Sequence, residues 1–71
     1  MRKFKVLFQR VIRGEVHANM GDVVYPTLMC DYGLANDDTR ATGVEHITVT
    51  LNEDGSNPGF TIPLHHLEEI K

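Results

Sequence analysis

Along much of this chain apolar and polar residues alternate with a period of two, the signature of β-strands. The clearest run is 44–51. There Ile47, Val49 and Leu51 fall on one face and His46, Thr48 and Thr50 on the other. Residues 52–59 follow as a turn, broken by Asp54-Gly55 and Pro58-Gly59, and Phe60-Thr61-Ile62 returns as a strand. The pattern therefore predicts a β-hairpin over 44–62. Pro63 ends it, residues 64–67 suit one 3₁₀ turn, and Glu68-Glu69-Ile70 suits a last short strand.

The first half of the chain is harder to read. Over residues 4–16, Phe4, Leu7, Phe8, Val11 and Ile12 fit a helix face, whereas Phe4, Val6, Phe8, Ile12 and Val16 fit a strand face. The content of Phe, Val and Ile, with neither alanine nor an N-cap residue, favours the strand, and Gly14 marks a bulge or its end. Asn19-Met20-Gly21-Asp22 is a turn leading into Val23-Val24-Tyr25, where Pro26 limits pairing because it has no amide hydrogen. Residues 31–43, with Gly33, Asn36, Asp37, Asp38, Thr39 and Gly43, read as one long loop. Loops of that length in a small domain are often functional. Four or five short strands, little helix and one long loop predict an all-β fold: a small, partly closed barrel formed by residues 1–71 as a single domain.

Composition narrows the functional classes. With 71 residues the core is one thin layer. No apolar run reaches membrane-spanning length, and no apolar segment follows the basic start Met1-Arg2-Lys3-Phe4-Lys5, so a cytoplasmic protein without membrane contact is expected. The single cysteine, Cys30, excludes an intramolecular disulfide. The net charge of −3 hides a division. Arg2, Lys3, Lys5, Arg10 and Arg13 lie in the first thirteen positions, and from Gly14 onward the charge is −8. A basic segment of this kind either contacts nucleic acid or pairs with the chain's own acids. The overall sign favours pairing.

Candidate chemistry is sparse. His17, His46, His65 and His66 lack zinc spacing, and adjacent His65 and His66 would point apart on a strand. Cys30 stands beside Asp31, whose charge opposes thiolate formation. Asp37-Asp38 in an open loop suits N-cap and Asx-turn roles better than acid–base work. No metal, no cofactor and no enzymatic activity are expected.

One resemblance adds to this reading. Gly21-Asp22-Val23-Val24-Tyr25, then the hairpin, then Phe60-Thr61-Ile62-Pro63 and Leu67-Glu68, resembles the SH3-like barrels. In that fold a Gly-Asp turn opens an early strand, and a 3₁₀ turn follows an aromatic-x-hydrophobic-Pro segment. Asp31-Tyr32-Gly33-Leu34 is similar to the start of peptide-binding SH3 domains. The chain has no tryptophan for a proline-rich ligand to pack on, so that activity is not implied. Asp31-Tyr32-Gly33 and the string from Asn36 to His46 resemble small uncharacterised proteins of bacteria and their phages, and imply no established activity.

The expected function is a non-enzymatic protein-binding module, acting on a host factor if carried by a phage or mobile element. Its expected surface is the long loop with nearby aromatics: Tyr25, Tyr32, Asp37, Asp38 and Arg40. The alternative is a nucleic-acid-binding barrel using Arg2, Lys3, Lys5, Arg10 and Arg13, and a self-associating homodimer is the third option.

Overall fold

The structure is a computed structural model and describes residues 2–30 and 36–71. The chain runs β1 (Lys3–Val6), β2 (Arg10–Ile12), β3 (Glu15–Ala18), β4 (Val23–Pro26), α1 (Asp37–Thr42), β5 (His46–Thr50), β6 (Gly59–Pro63), a 3₁₀ turn (Leu64–His66) and β7 (Leu67–Ile70). Five strands pair antiparallel in the order β6-β5-β4-β1-β7, and β2-β3 forms a separate hairpin. The sheet does not close, because β6 and β7 remain at its edges. This is the all-β, partly open barrel that the strand pattern predicts.

The core is small and drawn from many strands. Phe4, Val6, Ala18, Val24, Ile47, Val49 and Ile62 are buried together, with Cys30, Phe60, Leu64 and Leu67 packed against them. On β1, Phe4 and Val6 point inward while Lys3 and Lys5 point to solvent. The hairpin over 44–62 forms in register, from His46 opposite Pro63 to Thr50 opposite Gly59. The 3₁₀ turn and the last strand also fall where the sequence puts them.

Three expectations need correction. Residues 4–16 do not form one strand. The chain leaves the sheet after Val6, with the Leu7 amide donating to the His66 carbonyl (2.8 Å), and turns back at Arg13-Gly14. Both turn residues have positive φ (51° and 82°), the geometry of a two-residue hairpin turn. Phe8 and Val16, expected on the core face, are more than half exposed.

Second, residues 36–43 are not loop. Asn36 caps a six-residue helix, its Oδ1 accepting the amides of Asp38 (2.8 Å) and Thr39 (3.4 Å). The capping role given to Asp37 and Asp38 thus belongs to Asn36, and the two acids occupy the first turn, where they favour the helix dipole. Gly43 ends the helix with φ at 75°. The remainder of the expected loop, residues 31–35, lies outside the described residues.

Third, β5 is covered on both faces. Ile47 and Val49 are buried as expected, but His46 and Thr50 are buried too, and Leu51 lies beyond the strand end, half exposed. The His46 amide donates to the Thr39 hydroxyl (2.8 Å), which fastens α1 to β5. The Thr50 hydroxyl sits 2.9 and 2.8 Å from the Ser56 and Pro58 carbonyls and accepts the Asn52 amide (3.1 Å), so it organises the 52–59 turn.

Candidate functional site

The residues expected to bind a partner are largely engaged within the chain. Tyr25 lies half-buried on β4 opposite Thr50. Tyr32 lies outside the described residues. Asp37 pairs with Arg40 on α1, and Asp38 accepts a hydrogen bond from the Thr61 hydroxyl on β6. The acidic pair therefore serves helix stability and the α1–β6 contact.

The basic residues are distributed over several elements. Arg2 Nε lies 2.9 Å from Glu69 Oε2, and its guanidinium sits 5.2 Å from the centre of the Phe4 ring. The Arg2 hydrogen bond holds the Glu69 carboxyl below its usual range. Lys5 stands opposite Glu68 across the β1–β7 ladder. Arg10 is half-buried and donates from Nε to the Thr61 carbonyl (2.7 Å), while Arg13 occupies the hairpin tip. Much of this positive charge faces the chain's own acids and carbonyls.

A different surface emerges from the hairpin. Between Arg10 and Val11 the β2–β3 register shifts by one, leaving His17 as an extra residue between Val16 and Ala18. A bulge of this kind bends and twists the ribbon. Ala18 is thereby seated in the core, and the His17 ring packs 5.4 Å from Phe60 on β6. Val11 and Val16, opposite each other across the ladder, remain exposed. Beneath Val16 lies a cleft of about 330 Å³, bounded by His17, Leu51, Pro58 and Phe60. Through Leu51 and Asn52 it continues onto a shallower shelf bearing Glu53 and Asp54. Hydrogen bonds from Ser56 hold the Asp54 carboxyl below its usual range. A pattern reading that puts Val16 in the core misses this cleft. The signal available was Arg13-Gly14 in the middle of the apolar run.

A second cleft, of about 360 Å³, is lined by Thr27, Leu28, Met29, Thr48, Ser56 and Asn57.

The histidines also depart from expectation. His65 and His66 lie on the 3₁₀ turn, with ring centres 4.5 Å apart and edge-to-face, because the turn does not alternate side chains as a strand does. His66 also packs 5.1 Å from Phe8. Burial, then the neighbouring His65, Arg10 and His46, lowers the His66 pKa from its usual 6.5, and its Nδ1 is buried without a hydrogen-bond partner among the described residues. Among the described residues no three His, Cys, Asp or Glu side chains are grouped to hold a metal ion. No helix among them is long and apolar enough to cross a membrane.

Comparison of the chain with family models, with curated proteins and with solved structures gives no match.

Proposed function

We propose that this chain is a non-enzymatic, cytoplasmic protein-binding module on an SH3-like barrel, of the kind carried by a phage or mobile element to act on a host factor. The barrel reading is supported by the strand order β6-β5-β4-β1-β7 and by the 3₁₀ turn that follows Phe60-Thr61-Ile62-Pro63. The observation that carries the binding reading is the hairpin. It holds Val11 and Val16 in solvent, and Val16 lines a cleft bounded by Leu51, Pro58 and Phe60. Exposed apolar side chains around a concavity, with an acidic shelf at one end, suit a partner segment that inserts an aliphatic or aromatic side chain and carries a basic residue beside it. Binding thus centres on the hairpin and the 52–59 turn. Asp37, Asp38 and Arg40 act mainly in support, since their side chains are spent on α1 and β6.

The nucleic-acid reading is weaker because Arg2 and Arg10 already have partners in the fold. A gel shift with random-sequence DNA and single-stranded RNA at about 0.15 M salt tests it, since screening there acts within about 8 Å. The expected result is weak binding. Micromolar binding lost on neutralising Arg2, Lys3 and Lys5 would replace the protein-partner reading with the nucleic-acid one. The positive test is a partner purified after capture from the source cell. Its affinity for the chain should fall at least about tenfold in Val16→Asp or Leu51→Asp, and stay within about twofold in Arg40→Ala.

A further inference from the structure

We propose that the β2–β3 hairpin is a pH-sensitive flap, docked on the barrel while His66 is neutral and released when His66 takes up a proton. The hairpin is lightly attached. Among the described residues it pairs only with itself, and of the buried core residues only Ala18 belongs to it. It is further held by the Arg10 Nε bond to the Thr61 carbonyl (2.7 Å), by the His17 ring on Phe60 (5.4 Å) and, just before β2, by the Phe8 ring on His66 (5.1 Å). At its base the Gly21 amide donates to the Val6 carbonyl and the Val6 amide to the Asp22 carbonyl (both 2.8 Å), which fixes where the ribbon leaves the sheet. A segment with few buried contacts opens at lower free energy than the core it leaves.

The Phe8 contact rests on a ring placed against charge. His66 Nδ1 is buried and, among the described residues, has no hydrogen-bond partner. On protonation both ring nitrogens become donors, so Nδ1 would carry a proton with no acceptor. The groups whose charge acts on His66 are His65 on the same turn, with ring centres 4.5 Å apart, Arg10 on β2 and His46 on β5, and all are basic. Arg10 belongs to the hairpin, so a charge on His66 pushes against the hairpin itself. Among the acids adjoining these elements, Asp38 accepts the Thr61 hydroxyl, Glu68 stands opposite Lys5 across the β1–β7 ladder, and Glu45 is exposed. Among the described residues no carboxylate is paired with His66. Burial, then the three bases, holds the His66 pKa below its usual 6.5 while the ring is covered. The proton therefore binds the released state more tightly, and a ligand shifts an equilibrium towards the state it prefers. Release also moves Val16 and His17 away from the cleft they line. Its effect on a partner rests on the binding reading above, whereas the flap itself does not.

Two-dimensional NMR of the full chain, from about pH 7.5 to about pH 4.5, tests the flap without a partner, since that range brackets histidine titration. The expected result is loss of the Phe8–His66 and His17–Phe60 ring contacts along one curve, which follows the His66 ring with a midpoint below about 6.5. Contacts between Val11 and Val16 and along the β1–β7 ladder persist, because ribbon and sheet stay folded. His66→Phe keeps a flat ring against Phe8 and removes the proton, so its His17–Phe60 contact should survive to the acid end of the range. If that variant does not keep its circular dichroism spectrum, His66→Gln provides the same comparison. His65→Gln, at an exposed position, removes one of the facing bases and should raise both midpoints together. A hairpin that stays docked while the His66 ring titrates would overturn the proposal. So would release that persists in the His66 variants, or loss of the β1–β7 contacts over the same range.

Discussion

Strand β1 and the β2–β3 hairpin are built from the same kind of sequence and end in opposite environments. Both set β-branched or aromatic residues beside charged or polar ones. In β1 the alternation buries Phe4 and Val6, because β4 and β7 flank it and the barrel interior lies on one side. In the hairpin, Val11 and Val16 are 46% and 53% exposed, because the ribbon pairs only with itself and reaches the core through Ala18. Alternation says that a segment has two faces. It does not say that either face has something to pack on.

Truncating the two regions should give the largest contrast. Ile47→Ala or Val49→Ala, deep in the sheet, should destabilise the fold by about 1–4 kcal/mol, through lost burial and the cavity left behind. Val11→Ala or Val16→Ala should change stability by less than about 0.5 kcal/mol, as exposed positions do. Urea denaturation of the four variants checks this, and equal losses in both regions would remove the distinction drawn here.

The two hydroxyls on the polar face of β5 offer a finer contrast. Thr50→Val should cost about 1–3 kcal/mol, because it leaves the Asn52 amide and the turn carbonyls without their partner in a buried place. Thr48→Ala should cost less than about 0.5 kcal/mol, since Thr48 is only partly buried and its hydroxyl's hydrogen bond from Asn36 Nδ2 is long at 3.5 Å. A strand with one solvated polar face would show equal, small effects. Asn36→Ala should come next, at about 0.5–2 kcal/mol for loss of the helix cap. Its thermal melt should shift while the β-sheet circular dichroism persists.

The smallest expected effect is on pH dependence, and it probes the place where the chain leaves β1. His66 has a lowered pKa in the fold, so below about 6.5 the unfolded chain binds protons that the folded one resists. Its contribution is therefore complete above the unfolded value and is lost as pH falls from about 6.5 towards the lower folded value. The urea midpoint should drop between pH 7.5 and 5.5, and His66→Phe should shrink that drop. An unchanged pH dependence in the variant would assign the effect to other groups.

The sheet was legible because its signals are local. The 44–62 hairpin, the stop at Pro63, the 3₁₀ turn and the β7 strand follow from period, turn residues and proline chemistry within a few positions. The short helix was not legible. Six residues make fewer than two turns, too few to display a 3.6-residue period, and Asp-Asp after Asn reads equally well as a turn.

By itself, then, the sequence determined the all-β class, the main hairpin and the separation of a basic beginning from an acidic remainder, because propensity and charge belong to residues before they fold. Tertiary structure decided which apolar residues became core. It sent Val16 and Leu51 outward, took in His46 and Thr50, and set Arg2 against Glu69 across the fold. The reason is physical: burial is a property of two surfaces in contact, and in a barrel of 71 residues the second surface comes from a distant part of the chain.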